Sequence, residues 1–282
     1  MTCTNIDLSR YDFTKLPNSG FFLLVGKRGT GKTTYAQWIS GFSSYKTRGI
    51  FCVMAGSEAV KHAWSSIVPN LFIVDPSTDY LKTLRATQND AIATAKSLNV
   101  PFPDSCHVTL FMDDVASIPT IMKSPEMAYL ASNSRHLQTT IFVTCQHIYQ
   151  LPTQVRSQFD IVMALTTSNI KNIKVLHEEY ANCVDRRIFH HIVKVATEEH
   201  GVLILDNTKA SSNISDVCFF ARIEPYPVQL ERLGPERFWC FATTYTKDIE
   251  KANLKSNMVD KKDDSKNIVI DDKNGRLIIR KA

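Results

Sequence analysis

Short apolar runs alternate along this chain with longer stretches in which apolar and polar residues mix at helical spacing. The apolar runs predict strands at Phe21–Val25, Ile50–Ala55, Leu71–Val74, Val108–Met112, Thr139–Thr144, Asp160–Leu165, Val202–Asp206 and Val217–Ile223. The stretches between them predict helices at Thr33–Ser40, Glu58–Ser66, Thr78–Leu98, Pro125–Ser132 and Ile170–Glu199. Because strands and helices alternate, the pattern predicts an α/β fold with a mainly parallel sheet covered on both faces.

The C-terminal part of the chain is polar and rich in Lys and Asp. Its composition predicts a flexible charged tail over residues 246–282, after a folded domain over residues 1–245. Within this tail, Asn274-Gly275 lies between the short apolar runs Ile268–Ile270 and Leu277–Ile279, a pattern typical of a β-hairpin. A small hairpin on a tether and a disordered tail with a few aliphatic residues are equally good interpretations.

Composition excludes several classes of protein. At 282 residues with 44% hydrophobic content, the chain can form one large domain with a sizeable core. The seven cysteines are odd in number and form no C-x-x-C pair, which argues against a disulfide framework or a zinc site. No run is long enough to span a membrane and Met1–Arg10 contains no apolar leader, so we expect no membrane span and a cytosol-like environment.

The net charge is +5, from 33 basic and 28 acidic residues. Lys247–Ala282 contains ten Lys and Arg and seven Asp and Glu, and so carries +3 of this total. A nucleic-acid contact in the folded part would therefore depend on local placement of Lys and Arg and not on a global field.

A glycine-rich loop follows the first apolar run. Gly26, Gly31, Lys32 and Thr33 occupy the fixed positions of G-x-x-x-x-G-K-[ST]. The glycines let backbone N–H groups turn toward phosphate oxygens, and the N-terminus of the next helix favours the same anion. Lys32 can reach the β- and γ-phosphates of ATP, and the Thr33 hydroxyl can bind Mg²⁺. The predicted nucleotide-binding residues are Gly26, Lys27, Arg28, Gly29, Thr30, Gly31, Lys32, Thr33 and Thr34.

A pair of carboxylates ends the fourth apolar run. Val108–Met112 leads directly into Asp113-Asp114, which is the Walker B arrangement of a buried strand that delivers an acid. We expect Asp113 to hold Mg²⁺, directly or through water, and Asp114 to orient and deprotonate the attacking water. Many ATPases of this type have Glu at the second position, and Asp is one methylene shorter.

Three further polar residues complete the predicted catalytic set of Lys32, Asp114, Gln146, Arg135 and Arg156. Gln146 follows the run Thr139–Thr144 and can hydrogen-bond the γ-phosphate or the attacking water, as a sensor does. Arg135 and Arg156 flank that run, and a guanidinium matches a phosphate edge. Either arginine could be an arginine finger supplied to a neighbouring subunit, although a single arginine is more often a solvated or ion-paired surface residue.

Other classes of phosphate-loop protein fit less well. No N-K-x-D element follows the sensor strand, which disfavours guanine-specific GTPases, and there is no arginine-rich lid like that of small-molecule kinases. The strand between the phosphate loop and Asp113-Asp114 favours an ATPase of the additional-strand, catalytic-acid type.

These motifs together resemble a known family. They are Gly26–Thr34, Leu71–Val74 after a Val-Pro, Phe111–Asp114, Arg135-His136, Thr140–Val143, Gln146, Leu151-Pro152 and Arg156. In this order they are similar to the genome-packaging ATPases of nucleocytoplasmic large DNA viruses, which belong to the FtsK–HerA superfamily of DNA translocases. The resemblance covers roughly residues 15–225. Ser134 stands where a glycine is frequent in that family, and no nuclease motif follows.

The resemblance implies a RecA-like P-loop NTPase that binds ATP and Mg²⁺. It implies a ring homo-oligomer, a pentamer or hexamer, around double-stranded DNA that drives the genome into a preformed capsid. Viral capsid or portal components would be partners, and the location would be the host-cell cytoplasm, in the viral factory, or the virion.

Two alternative functions stay open at this point. One is an FtsK/HerA-like DNA motor in DNA transfer or processing, and the other is a nucleotide-gated assembly scaffold that is not a motor. Lys171 and Lys174 could line a DNA pore or form the solvated face of a helix, so they do not decide between these functions.

Overall fold

The computed structural model describes residues 8–42, 49–209, 211–222 and 232–249. The chain divides into two compact units, Met1–Pro235 and Glu236–Ala282. In the second unit the described part is a helix over residues 236–249. The predicted C-terminal hairpin lies outside the described residues, and the predicted domain boundary stays a prediction.

Within the described residues, the first unit is built around one eight-stranded sheet. The strands are β1 Gly20–Val25, β2 Ile50–Ala55, β3 Ile73–Val74, β4 Val108–Asp113, β5 Thr139–Cys145, β6 Ile161–Ala164, β7 Gly201–Asp206 and β8 Cys218–Arg222. Their order is β3-β2-β4-β5-β1-β6-β7-β8. The first six strands of this order are parallel, whereas β7 and β8 each pair antiparallel with the preceding strand.

Helices connect and cover these strands. They are α1 Lys32–Ser40, α2 Glu58–Trp64, α3 Thr78–Ser97, α4 Pro119–Met122, α5 Pro125–Asn133, α6 Thr153–Arg156, α7 Ile170–Tyr180, α8 Arg186–Ala196 and α9 Ile214–Val217, followed by α10 over 236–249. None of the described helices combines the length and apolar character needed to cross a bilayer.

Two predicted elements differ from those observed. The single helix predicted over Ile170–Glu199 is two helices, because Asp185 caps a new helix start and its carboxylate accepts a hydrogen bond from the Arg187 N–H at 2.8 Å. The strand predicted at Leu71–Val74 is shorter, because Asn70–Phe72 forms a 3₁₀ turn and the strand itself consists of Ile73–Val74.

Both faces of the sheet are buried, as the continuous apolar runs predict. In β1 all six residues are buried, with Phe21 and Leu23 in the core on one face and Phe22 and Leu24 in the core on the other. The first core includes residues of α3, α5, α7 and α8, and the second includes residues of α1 and α2. Burying each such side chain contributes about 1.5–3 kcal/mol to the free energy of folding, so the strand that carries the loop is held firmly in the core.

The position of β5 decides the class of this fold. β5 lies between β1, which carries the glycine-rich loop, and β4, which ends in the acidic pair. The strands that lie in the chain between the loop and Asp113-Asp114, β2 and β3, are on the other side of β4, so the strand inserted between the loop strand and the acid strand is β5, the predicted sensor strand. Since the three strands are parallel, their carboxyl ends lie at one edge of the sheet, where ligands bind in open α/β folds.

Candidate nucleotide site

The glycine-rich loop joins β1 to α1 at that edge. Gly31 caps α1 with φ +86°, a left-handed conformation that a side chain would strain, and no side chain caps the helix. The first N–H groups of α1 therefore lack a side-chain cap, which makes this helix end a site for an anion. All nine predicted loop residues, 26–34, belong to this loop and to the first turn of α1.

Lys32 reaches back over the loop. Its Nζ donates hydrogen bonds to the carbonyl oxygens of Gly26 at 2.9 Å and Lys27 at 3.1 Å. Burial lowers the pKa of the Lys32 ammonium, and the negative potential of Asp113 and Asp114 opposes that shift. A half-buried ammonium beside an uncapped helix end is suited to bind the phosphates of a nucleotide.

Asp113 meets the loop directly. Its Oδ2 accepts hydrogen bonds from the Thr33 hydroxyl at 2.8 Å and from the Trp64 indole N–H at 3.0 Å. Its Oδ1 accepts one from the Thr144 hydroxyl at 2.7 Å. Asp113 is only 2% exposed, so three donors fix its carboxylate beneath the loop.

The pairing of Thr33 with Asp113 fits Mg²⁺. A hydroxyl and a carboxylate are hard oxygen ligands, and here Thr33 Oγ1 lies 2.8 Å from Asp113 Oδ2. Among the described residues no group of three or more His, Cys, Asp or Glu side chains could hold a metal without other ligands. A shared site with phosphate oxygens and water suits these residues, because Mg²⁺ is held in that way at many nucleotide sites.

Asp114 is placed differently from its neighbour. It is exposed and has φ +60°, so the chain turns sharply after β4 and separates the two carboxylates. Strained backbone of this kind occurs at functional sites. Gly56 permits the turn, because a Cβ at that position would lie 2.2 Å from the Asp114 carbonyl oxygen.

A cavity of about 150 Å³ brings the acid and the sensor residue together. Asp114, Thr144 and Gln146 all line it. A water molecule needs only about 10–15 Å³ by a comparable measure, so this space can hold water beside a transferring phosphoryl group. The catalytic roles of Asp114 and Gln146 stay predictions, with a geometry that suits them.

Thr144 links the carboxylate of Asp113 to the backbone of Asp114. Its hydroxyl donates to Asp113 Oδ1 and accepts from the Asp114 N–H at 3.0 Å. We expect Thr144→Val to lower the free energy of unfolding by about 1–3 kcal/mol, because both partners lose a hydrogen bond. Thr144→Ser keeps the hydroxyl and should cost less, which denaturant titration of both variants can test. Equal stability of the two variants would contradict this role.

Arg135 lies at the opposite edge of the sheet from the loop. It precedes β5 and pairs with Asp160, which precedes β6 and also accepts a hydrogen bond from the Phe21 N–H at 2.9 Å. Its side chain is 56% exposed. The structure therefore does not bring Arg135 to the phosphate loop of its own chain, and a role on a neighbouring subunit stays a prediction.

Arg156 is built into the fold. Its side chain is 14% exposed and donates to Glu179 Oε1, with its Nε at 2.9 Å. It also donates to the carbonyl oxygens of Tyr149 at 3.4 Å and Leu151 at 3.2 Å. A finger role would require these contacts to break. The structure thus indicates that Arg156 stabilises the segment after β5. Of the two arginines, Arg135 is then the better candidate for a finger.

The two arginines should differ in their effect on stability. Arg156→Ala leaves the carboxylate of Glu179 with its charge unpaired, so we expect a loss of about 3 kcal/mol in the free energy of unfolding. Arg135→Ala removes an ion pair whose guanidinium is 56% exposed, and Asp160 keeps its hydrogen bond from the Phe21 N–H, so we expect a smaller loss than for Arg156→Ala. Urea unfolding of both variants tests this, and similar losses would contradict the assignment of Arg156 to the core.

Sequence reasoning missed several residues of the site: Trp64, Thr144, Gly56 and Asn172. The buried Asn172 donates to the Gln146 carbonyl oxygen at 2.8 Å and accepts from the Ile148 N–H at 3.1 Å, so α7 holds the sensor segment. Trp64 comes from α2, and nothing in its local sequence indicates that its indole faces Asp113. Of these residues, only Thr144 has a sequence position that indicates the site, because it lies two residues before Gln146 at the end of a strand.

Comparison with known families now adds to this geometry. The sequence profile of the family described as "Poxvirus A32 protein" matches residues 8–224. The chain belongs to the poxvirus A32 protein family. This membership confirms the resemblance to the genome-packaging ATPases of nucleocytoplasmic large DNA viruses.

Relatives of this A32-family chain occur in Frog virus 3 and in Acanthamoeba polyphaga mimivirus. Protein 015R of Frog virus 3 is 23% identical over 227 residues, which covers 79% of this chain and 68% of the relative. Protein L437 of Acanthamoeba polyphaga mimivirus is 25% identical over 229 residues, which covers 78% of each chain.

Solved structures confirm the fold class of the A32-family chain. The genome packaging NTPase B204 of Sulfolobus turreted icosahedral virus 2, in complex with AMPPCP, has a TM-score of 0.50 at 16% identity, covering 74% of this chain and 100% of its own. ATPases 2 and 3 of EssC from Geobacillus thermodenitrificans have a TM-score of 0.51 at 9% identity, covering 79% and 48%. The pCW3 conjugation coupling protein TcpA, with ATPγS, has a TM-score of 0.51 at 13% identity, covering 75% and 62%. At these identities the likeness shows a RecA-like P-loop NTPase fold.

Proposed function

We propose that this chain is an ATPase that uses ATP hydrolysis to move double-stranded DNA and package a viral genome into the capsid, as a ring oligomer. The observation that carries the proposal is the contact of Thr33 with the buried Asp113, beside a cavity lined by Asp114 and Gln146. In an A32-family chain this arrangement supports hydrolysis as well as nucleotide binding.

Each residue of the site has a role in this proposal. Lys32 and the N–H groups at the start of α1 bind the phosphates, as an ammonium and a helix end do in other phosphate loops. Asp114 orients the attacking water in the cavity and accepts its proton. Gln146 hydrogen-bonds the water or the γ-phosphate. Mg²⁺, held through Thr33 and Asp113, would neutralise the charge of the phosphate oxygens.

The contacts of α7 support coupling between hydrolysis and movement. Asn172 in α7 forms hydrogen bonds with the backbone of Gln146 and Ile148. Glu179 in α7 pairs with Arg156, which donates to the carbonyl oxygens of Tyr149 and Leu151. A shift of the segment from Gln146 to Leu151 on hydrolysis would therefore be transmitted to α7. The exposed Lys171 and Lys174 lie on this helix and suit contacts with the DNA backbone.

Names of structurally similar proteins agree with a motor. B204 is described as a genome packaging NTPase and TcpA as a conjugation coupling protein. The description of B204 agrees with a packaging motor, and that of TcpA agrees with the alternative of a motor in DNA transfer. Because the profile match is to a viral family, we favour packaging, in the host-cell cytoplasm or the virion, with capsid or portal components as partners.

A ring predicts that one subunit completes the site of the next. We expect Arg135→Ala subunits mixed with wild-type subunits to lower ATP turnover more than in proportion to their share, because each variant would remove the finger from a neighbouring site. Turnover at a fixed total concentration over a series of mixing ratios tests this. A linear decline with the variant fraction would contradict a finger role in trans.

The direct test of the proposed function is ATP hydrolysis with and without long double-stranded DNA, at low and moderate salt. We expect DNA to stimulate turnover and the stimulation to weaken as salt rises, since phosphate contacts release counterions. Asp114→Asn serves as the control for contaminating activity. Turnover that ignores DNA would instead favour the nucleotide-gated scaffold.

A further inference from the structure

A second and larger cavity lies beside β6. Its volume is about 570 Å³, and its walls come from residues 166–168, from α7 and α8 and from the turn before β7. This volume falls in the range of roughly 300–1,000 Å³ found for small-molecule sites. None of the residues assigned to hydrolysis lines it.

This cavity is joined to the phosphate loop at two places. The Lys27 N–H donates a hydrogen bond to the Thr166 carbonyl oxygen at 3.2 Å, and Thr166 lines the cavity. The Tyr35 hydroxyl in α1 donates to the His200 carbonyl oxygen at 3.0 Å, and His200 lines the cavity as well. The wall of the cavity is therefore tied both to the start of the loop and to the helix that follows it.

The order of the strands puts the two cavities on opposite sides of the loop. The smaller cavity lies at the ends of β4 and β5, with Asp114 and Gln146 in its wall, whereas the larger one begins at the end of β6. β1 and its loop lie between β5 and β6. A triphosphate whose γ-phosphate faces Asp114 can therefore extend along this edge of the sheet towards the β6 side.

We propose that the larger cavity binds the nucleoside of the ATP held by the phosphate loop, an inference that rests on the proposed nucleotide site. Its buried side is apolar, with Ile173 3% and Val193 1% exposed, which suits the face of a base. The imidazole of His190 offers a flat surface for stacking. The hydroxyl of Ser168 and the ammonium of Lys194 supply polar groups for the base edge or the ribose.

The test compares ATP with inorganic tripolyphosphate, which has the phosphates but no nucleoside. Isothermal titration in Mg²⁺ would measure both ligands on the wild-type chain, on Ser168→Trp and on Ser97→Trp. Ser168 is an exposed residue of the cavity wall, and Ser97 is an exposed serine of α3 that serves as the matched control. We expect Ser168→Trp to raise the Kd for ATP by about tenfold or more, with the Kd for tripolyphosphate within about twofold of wild type.

His190→Ala is an independent variant, because it removes a side chain from the cavity wall, whereas Ser168→Trp enlarges one. We expect it to weaken ATP by about three- to tenfold, as for loss of a stacking contact, and to leave tripolyphosphate unchanged. Unchanged ATP affinity in both variants, or an equal loss of ATP and tripolyphosphate in both, would overturn the nucleoside assignment. Failure of the proposed nucleotide site itself would look different, because the wild-type chain would then bind neither ligand.

Discussion

Replacing Lys32 by Ala should abolish measurable ATP turnover and raise the Kd for ATP by about 100-fold. Its ammonium is the half-buried cation of the phosphate loop, held within 3.1 Å of two loop carbonyl oxygens. In the proposed site this ammonium would donate to phosphate oxygens of ATP, and loss of such charge-assisted hydrogen bonds costs about 1.5–3 kcal/mol each, which accounts for the expected loss. Titration with ATP and a turnover assay measure the two effects.

The matched control for that variant is Lys96→Ala, which removes the same charge from an exposed position of α3. It should bind and hydrolyse ATP as the wild-type chain does. Normal turnover in Lys32→Ala would refute the assignment of residues 26–34 to phosphate binding.

Asp114→Asn should retain ATP binding and lower kcat by about 100- to 10,000-fold, the usual contribution of a general base. The substitution keeps the shape of the side chain and removes its capacity to accept a proton. The contacts that hold the loop and Asp113 in place run through Thr33, Trp64 and Thr144, so the nucleotide site should stay intact. Single-turnover hydrolysis and ATP titration separate the two steps.

Asp113→Asn is the informative comparison for Asp114→Asn. An amide at that position turns one of its two acceptors into a donor against the donors from Trp64, Thr33 and Thr144. We therefore expect Asp113→Asn to lose both stability and Mg²⁺-dependent binding. If Asp114→Asn also lost ATP binding, its role would be structural and not catalytic.

The sequence predicted the parts of the site that parallel strands bring together. Lys32, Asp113 and Gln146 each follow or end a buried run, and such strand ends lie at one edge of a parallel sheet. The order of motifs along the chain did not predict that β5 is the strand inserted between the loop strand and the acid strand, which the topology shows.

Other parts could not be read from the sequence because they depend on tertiary contacts. Trp64 is a hydrophobic residue at the end of a short helix, and only the packing of α2 brings its indole to Asp113. Arg156 has the sequence setting of a finger, but its exposure is decided by Glu179 and by carbonyl oxygens of the segment after β5. The local sequence pattern predicts the secondary-structure element of a residue, but it does not predict whether a polar side chain in that element is buried.

The measurement that tests the central claim most directly is ATP-dependent displacement of a third strand from a DNA triplex, since only a motor that moves along the duplex removes it. Wild-type protein should displace the strand with ATP and Mg²⁺, and Asp114→Asn should bind the same DNA and displace none. ATP hydrolysis by the wild-type chain on this DNA without displacement would contradict the account of an ATP-driven DNA translocase.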